Sequence, residues 1–170
     1  MIMWIIGLSG SGKTTLAEAV VARARLKGRK VVFLDGDSVR DLFGNDLGHD
    51  LAGRRANADR ICRLCAFLDE QGLDVVCAIL SIFPESRSWC RKNLVSYYEV
   101  FIDSPLEQLI ERDAKGIYGR FMRGEIREVA GLDIPFPRPE AADLVITNAG
   151  DRSALLGHAP KLADLFDGSS

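Results

Sequence analysis

Histidine and cysteine are both sparse in this chain, with two His and four Cys among 170 residues. His49 and His158 stand alone, and Cys62-x-x-Cys65 has neither a second pair nor histidines at zinc spacing. The pattern argues against a zinc centre, and the cysteines read as core residues of a protein kept in a reducing cytoplasm. No apolar run approaches the roughly 18 residues of a membrane span, and the Met1 to Ile6 stretch is too short for a signal-peptide core. A net charge of −2 offers no basic excess, which argues against a nucleic-acid partner. An N-K-x-D base-reading motif is missing, so a GTPase is disfavoured. The third apolar run ends in Ala78-Ile79-Leu80-Ser81 with no acidic residue, which disfavours a motor ATPase carrying its metal-binding aspartate there. Repeats, linkers and low-complexity tracts are also lacking. A chain of this size suits one domain, residues 1–170, burying about 70% of its unfolded surface.

What is present begins seven residues in. Gly7-Leu8-Ser9-Gly10-Ser11-Gly12-Lys13-Thr14 follows the apolar run Ile2 to Ile6 and leads into Thr15-Leu16-Ala17-Glu18-Ala19-Val20. Strand, glycine-rich turn and helix, spaced G-x-x-x-x-G-K-T, form a phosphate-binding loop. The glycines let successive N–H groups point at one centre, and the helix adds its N-terminal dipole. Lys13 reaches the β- and γ-phosphates and the Thr14 hydroxyl ligates Mg²⁺. The sequence therefore binds a nucleoside triphosphate.

Further along, apolar runs at 30–34, 73–80, 97–102 and 143–147 read as buried strands, with helices over about 13–27, 54–70, 84–95, 105–113 and 154–166. Ser104 is expected to cap the helix that Pro105 opens. Strands alternating with helices imply an α/β fold, five parallel strands with helices on both faces. Between Ala114 and Pro139 the pattern breaks into dense glycine, proline and arginine, which reads as a mobile lid.

Ligands in such sheets gather outside the carboxyl ends of the strands. Asp35 and Asp37 stand at the second strand end, placed to hold Mg²⁺ or to take a proton from an attacking hydroxyl. Arg40 follows, and Arg54 and Asn57 share one face at i and i+3, suited to anionic oxygens and to a hydroxyl or base edge. Arg112, Lys115, Arg120, Arg123 and Arg127 supply cations in and before the lid.

Together these residues resemble adenylylsulfate (APS) kinase. The resemblance runs through Gly7 to Thr15, Leu34-Asp35-Gly36-Asp37-Ser38-Val39-Arg40, Leu47-Gly48, Arg54, Asn57, Ser81 and Phe83. It continues through Asp113-Ala114-Lys115-Gly116-Ile117-Tyr118, Gly124-Glu125-Ile126 and Gly131-Leu132-Asp133. It implies a three-layer P-loop kinase fold moving the γ-phosphate of Mg·ATP onto the 3′-hydroxyl of adenosine 5′-phosphosulfate, giving PAPS for sulfate assimilation. Gly7 to Thr15 would hold ATP phosphates, and Asp35 and Asp37 the Mg²⁺ and acceptor hydroxyl. Arg40, Arg54, Asn57 and Lys115 would bind the acceptor nucleotide, with Ser81, Ile82, Phe83 and Leu132 beside it. Arg112 and Thr147-Asn148 match positions that contact the ATP adenine. Ser81 matches a serine described in some members as a phosphoserine intermediate, although direct in-line transfer needs no such step. Members of the family are often homodimers.

The departures from the family concern the acceptor base. Where the family sandwiches adenine between two phenylalanines, this chain has His49 and Val129; Ile82 replaces a proline, Phe136 a tyrosine, and a basic N-terminal extension is missing. Base–aromatic stacking is worth about 1–3 kcal/mol, so adenine binding should weaken more than tenfold. A branch of the same family phosphorylates the 3′-hydroxyl of cytidine diphosphoramidate for capsule modification, and a smaller pyrimidine suits a pocket without that clamp. APS is the first acceptor to expect and cytidine diphosphoramidate the alternative. A nucleotide-binding regulator without transfer activity is the reading from outside the enzyme class.

Overall fold

An apolar run without polar alternation belongs in a sheet covered on both faces, and the first strand occupies that place. The computed structural model describes residues 1–168; residues 169 and 170 of the expected domain lie outside the described residues. Every residue of β1 (Ile2–Ile6) is buried. It pairs in parallel with β3 (Asp74–Ile79) on one side and β4 (Tyr97–Asp103) on the other. With β2 (Val31–Asp35) outside β3 and β5 (Leu144–Thr147) outside β4, the order is β2-β3-β1-β4-β5, parallel throughout.

Side chains alternate across the sheet and feed two cores. Met3 and Ile5 face α1 (Lys13–Leu26) and α8 (Ala159–Asp164), packing with Leu16, Val20, Leu162 and Phe166. Ile2, Trp4 and Ile6 face the opposite way, against Ile61, Cys62 and Cys65 of α3 (Leu51–Glu70) and Cys90 of α4 (Pro84–Asn93). Full burial of each such side chain contributes about 1.5–3 kcal/mol. All four cysteines are free and buried, as expected of core residues. Among the described residues no helix is long and apolar enough to cross a membrane.

Several boundaries differ from expectation for identifiable reasons. The long helix α3 begins at Leu51 rather than near Arg54, because Asp50 caps it by accepting the Gly53 N–H at 2.9 Å. In α5 (Leu106–Arg112) Pro105 itself takes the capping position with extended backbone, and the buried Ser104 hydroxyl caps nothing. The single C-terminal helix is split into α7 (Arg152–Leu156), α8 and a 3₁₀ turn (Leu165–Gly168). Gly157, His158 and Pro160 make the break, proline having no N–H to continue the ladder.

The 114–139 segment departs most from the structureless stretch expected. It carries α6 (Ile117–Met122), and it buries Tyr118 (2% exposed), Val129, Ala130 and Ile134. Its apolar residues are too few and too widely spaced to show a helical period in sequence. They pack against Leu8, Leu106 and Leu109 instead.

Candidate active site

Beyond the carboxyl ends of β1, β2 and β3 lies a cavity of about 380 Å³. Its floor on the β1 side is the glycine-rich loop. A Cβ on Gly7 would come within 2.7 Å of the Ile102 carbonyl, and one on Gly12 within 2.5 Å of Leu155 Cδ2 with φ at +97°. Three of the loop's carbonyls are taken up by side chains. Lys13 Nζ donates to Leu8 O at 2.8 Å, the Tyr118 hydroxyl to Ser9 O at 2.9 Å, and Asn148 Nδ2 to Ser11 O at 2.9 Å. Tying the carbonyls away suits a loop whose N–H groups serve an anion. Ser9, Gly10, Gly12, Lys13, Thr14 and Thr15 line the cavity, whereas Gly7, Leu8 and Ser11 form the loop's base behind it. Burial of its ammonium, aided by Lys115, pushes the Lys13 pKa down to about 8, with Asp35 and Asp37 acting in the opposite direction. A buried, under-neutralised cation of this kind is a ready partner for phosphate.

The aspartates sit opposite. Asp35 caps α2 (Gly36–Leu42), its Oδ1 accepting the Asp37 N–H at 3.0 Å, while Oδ2 accepts the Thr14 hydroxyl at 2.8 Å. The D-G-D stretch is thus a helix start as well as a site, which fixes the angle between the two carboxylates. Asp37 Oδ2 meets Lys115 Nζ at 2.9 Å, bridging α2 to the 114–139 segment. Partial burial pushes the Asp37 carboxyl up, but the Lys115 ammonium outweighs it and holds the pKa below the usual range. Asp37 is therefore ionised at neutral pH and able to accept a proton.

The far wall is built from separated segments. Arg40 is buried and donates to the carbonyls of Leu47 (3.2 Å) and Gly48 (3.0 Å), holding the loop that presents the exposed His49. Arg54 spans the mouth, donating from Nε to His49 O at 2.8 Å and from Nη2 to Glu128 O at 3.0 Å. Asn57 reaches Gly36 O at 3.5 Å, and its buried Oδ1 has no partner. Asn57 itself lines the cavity. Ser81, Ile82, Phe83 and Val129 complete the lining.

Other candidates lie elsewhere. Leu132 and Thr147 border a neighbouring cavity of about 530 Å³ together with Leu8. Asn148 is buried behind the loop, accepting the Gly150 N–H at 3.0 Å with its second amide atom. Arg112 flanks Gly150 on the same side. Of the five lid-region cations only Lys115 lines the main cavity; Arg120 and Arg123 pair with Glu125. Two residues that matter escaped sequence reasoning. Tyr118 ties the lid to the phosphate loop, and Glu128, at φ +61°, offers Oε1 to the Leu51 N–H at 3.3 Å. The Tyr118 signal was there, in the D-x-K-G-x-Y element, but carried no contact partner.

Comparison with known proteins agrees with this geometry. The sequence model of the adenylylsulphate kinase family matches residues 1–147. The cytidine diphosphoramidate kinase of Campylobacter jejuni is 40% identical over 148 residues, 87% of this chain and 86% of that protein. The adenylyl-sulfate kinase of Aeromonas hydrophila is 39% identical over 159 residues, 92% of this chain and 80% of that one. Among solved structures, the APS kinase of Mycobacterium tuberculosis in complex with AMPPNP and APS superposes with a TM-score of 0.87 at 35% identity, covering 98% of this chain and 97% of that one. The chain belongs to the adenylylsulphate kinase family, and is a P-loop kinase transferring phosphate to a hydroxyl group.

Proposed function

We propose that this protein transfers the γ-phosphate of ATP to the 3′-hydroxyl of a nucleotide whose 5′ side carries an anionic group. The observation that carries the reading is the meeting of Lys13 and Thr14 with Asp35 and Asp37 across one cavity mouth, with Arg40, Arg54 and Asn57 on the facing wall. Gly7 to Thr15 cradle the donor triphosphate, and Arg112, Thr147 and Asn148 lie on the side assigned to its adenine. Asp37 accepts the proton of the attacking hydroxyl as that oxygen bonds to the γ-phosphorus and the bond to the β-phosphate oxygen breaks.

Mg²⁺ fits the donor set at this mouth. The described residues hold no cluster of three or more His, Cys, Asp or Glu side chains able to cage a metal unaided. They do bring a hydroxyl (Thr14) into contact with a carboxylate (Asp35) and set Asp37 beside them, the oxygen-only, partly complete set that Mg²⁺ shares with substrate phosphates. When bound, the ion neutralises charge on those phosphate oxygens.

Adenosine 5′-phosphosulfate is the acceptor that family membership puts first. A second reading, cytidine diphosphoramidate, is favoured by the walls: His49 is exposed and Val129 is buried and aliphatic, so the pocket lacks the facing rings that would clamp a purine. On the walls alone the smaller base fits better. ADP release measured with each acceptor at equal concentration, beside plain nucleotides, tests the proposal. Turnover of neither acceptor would overturn it, and turnover of adenosine 5′-phosphosulfate alone would remove the second reading.

A further inference from the structure

The end of β3 forms the acceptor-side floor, and its backbone is unusual there. Ser81, 5% exposed, has φ +55°, the left-handed region that costs a non-glycine residue and persists only where surroundings enforce it. A proline at 82 would push Ser81 towards extended backbone, and Ile82 removes that restriction. The enforcing group is on α4. Arg87, 7% exposed, donates from Nη1 to Ser81 O at 2.8 Å, with Ser81 Oγ at 3.4 Å. Its Nη2 donates to Pro137 O at 3.3 Å, at the lid's return to the sheet. Its Nε lies 3.9 Å from Glu99 Oε1, and Glu99, 2% exposed, also accepts the Tyr97 hydroxyl at 2.7 Å.

Next to Ser81, Ile82 and Phe83 join a small apolar packet with Ala58, Ala130 and Ile134, backed by Phe136. Four of these, Ala58, Ile82, Phe83 and Ala130, line the cavity. They come from α3, the β3 end and the lid, so the spacing of the acceptor walls depends on what fixes β3 to the lid. Among the described residues, the side chain that bonds both is Arg87. A planar fork can hold two carbonyls in different directions while its charge is met by a carboxylate behind it; a lysine cannot.

We infer that Arg87 is a positioning residue for the acceptor half of the site, locking the Ser81 turn to Pro137 so that both walls hold one spacing. Its kinetic consequence rests on the nucleotide 3′-kinase reading, whereas its structural consequence does not. The test uses Arg87→Lys, which keeps the charge facing Glu99 and loses the fork. Loss of charge-assisted bonds of this kind corresponds to a rise of about tenfold in acceptor KM for Arg87→Lys, with kcat and ATP KM within about twofold of the parent. By hydrogen exchange, amides in residues 80–83 and 134–138 of Arg87→Lys exchange about tenfold faster, and those of α1 do not change. Arg87→Ala moves further in the same direction if it folds. Unchanged exchange in Arg87→Lys would overturn the lock, and a parallel rise in ATP KM would overturn its assignment to the acceptor side. If neither acceptor is turned over while exchange changes as stated, the lock stands and the acceptor reading falls.

Discussion

The two halves of this active site are built in opposite ways. The donor half is one contiguous stretch, Ser9 to Thr15, acting largely through backbone, with carbonyls of the loop held by Lys13, Tyr118 and Asn148. The acceptor half draws His49, Arg54, Asn57, Ser81 and Val129 from four separate segments, and its arginines are already engaged with main-chain carbonyls. A loop shaped by its own glycines has few ways to vary. A pocket assembled from distant side chains can exchange one ring for an imidazole and another for an isopropyl group without disturbing the sheet. The donor half therefore holds what phosphate-binding loops share, and individuality sits at the base-facing positions of the acceptor half.

The largest expected effects come from breaking the donor half and the carboxylate that faces it. Lys13→Ala removes the cation facing the γ-phosphate and should lower kcat by about 10²–10³-fold. Asp37→Asn removes the proton acceptor and should cost about 10²–10⁴-fold, with ATP binding retained. Both are measured by ADP release at saturating acceptor, and near-parental turnover in either would show that chemistry is not organised around this mouth. Asp37→Asn also loses the ion pair with Lys115, and Lys115→Met, which removes that pair while leaving the carboxylate in place, should cost less.

A smaller effect, of opposite sign, is expected from rebuilding the acceptor half. His49→Phe with Val129→Phe restores rings on both sides of the base, and each stacking contact is worth about 1–3 kcal/mol. Turnover of adenosine 5′-phosphosulfate at low concentration should then rise about tenfold or more, while that of a cytidine acceptor does not. Val129 is 4% exposed and packs near Leu109 and Tyr118, so a larger side chain there also risks overpacking. His49→Phe alone, on an exposed loop, escapes that complication and should give part of the gain. No gain in either variant would mean that the base is recognised elsewhere.

How far the sequence was legible follows the same division. Gly7 to Thr14 and the apolar runs around it specify loop, strand and helix by local rules, and the five-stranded parallel sheet follows from their alternation. Asp35 and Asp37 were legible because strand ends in such sheets carry function. Arg40 and Arg54 were found as residues, but not their engagement with Gly48, His49 and Glu128, which depends on how loops remote in sequence approach one another. The lid was legible as an interruption only. Its packing comes from Tyr118, Val129 and Ile134 meeting partners on other elements, and no periodicity announces that. Thr147 and Leu132 show the converse, since matching a motif did not place them on the main cavity.

One contact crosses the division between the halves. The Tyr118 hydroxyl, on the lid helix, donates to Ser9 O of the donor loop at 2.9 Å. Burial, with Asp113 nearby, pushes the Tyr118 pKa up to about 12 from an ordinary value of 10.0. Between these values the folded chain keeps a proton that the unfolded chain has lost, so the folded state binds more protons and stability falls as pH rises. Below about pH 10 the full contribution is present, and it is lost as pH climbs through about 12. Tyr118→Phe deletes the hydrogen bond and this titration together, leaving Ser9 O without its lid partner. The variant should lose about 0.5–1.5 kcal/mol near neutral pH, and the gap to the parent should narrow between pH 10 and 11.5, read as the difference in denaturant midpoints. ATP KM should rise about threefold or more, as expected for loss of a bond of this size, with acceptor KM changing less because the loop, not the far wall, has lost its support. A constant gap across that pH range would mean that the phenol does not titrate with unfolding. An acceptor KM that rose more than the ATP KM would mean that the lid helix serves the variable half of the site rather than the fixed one.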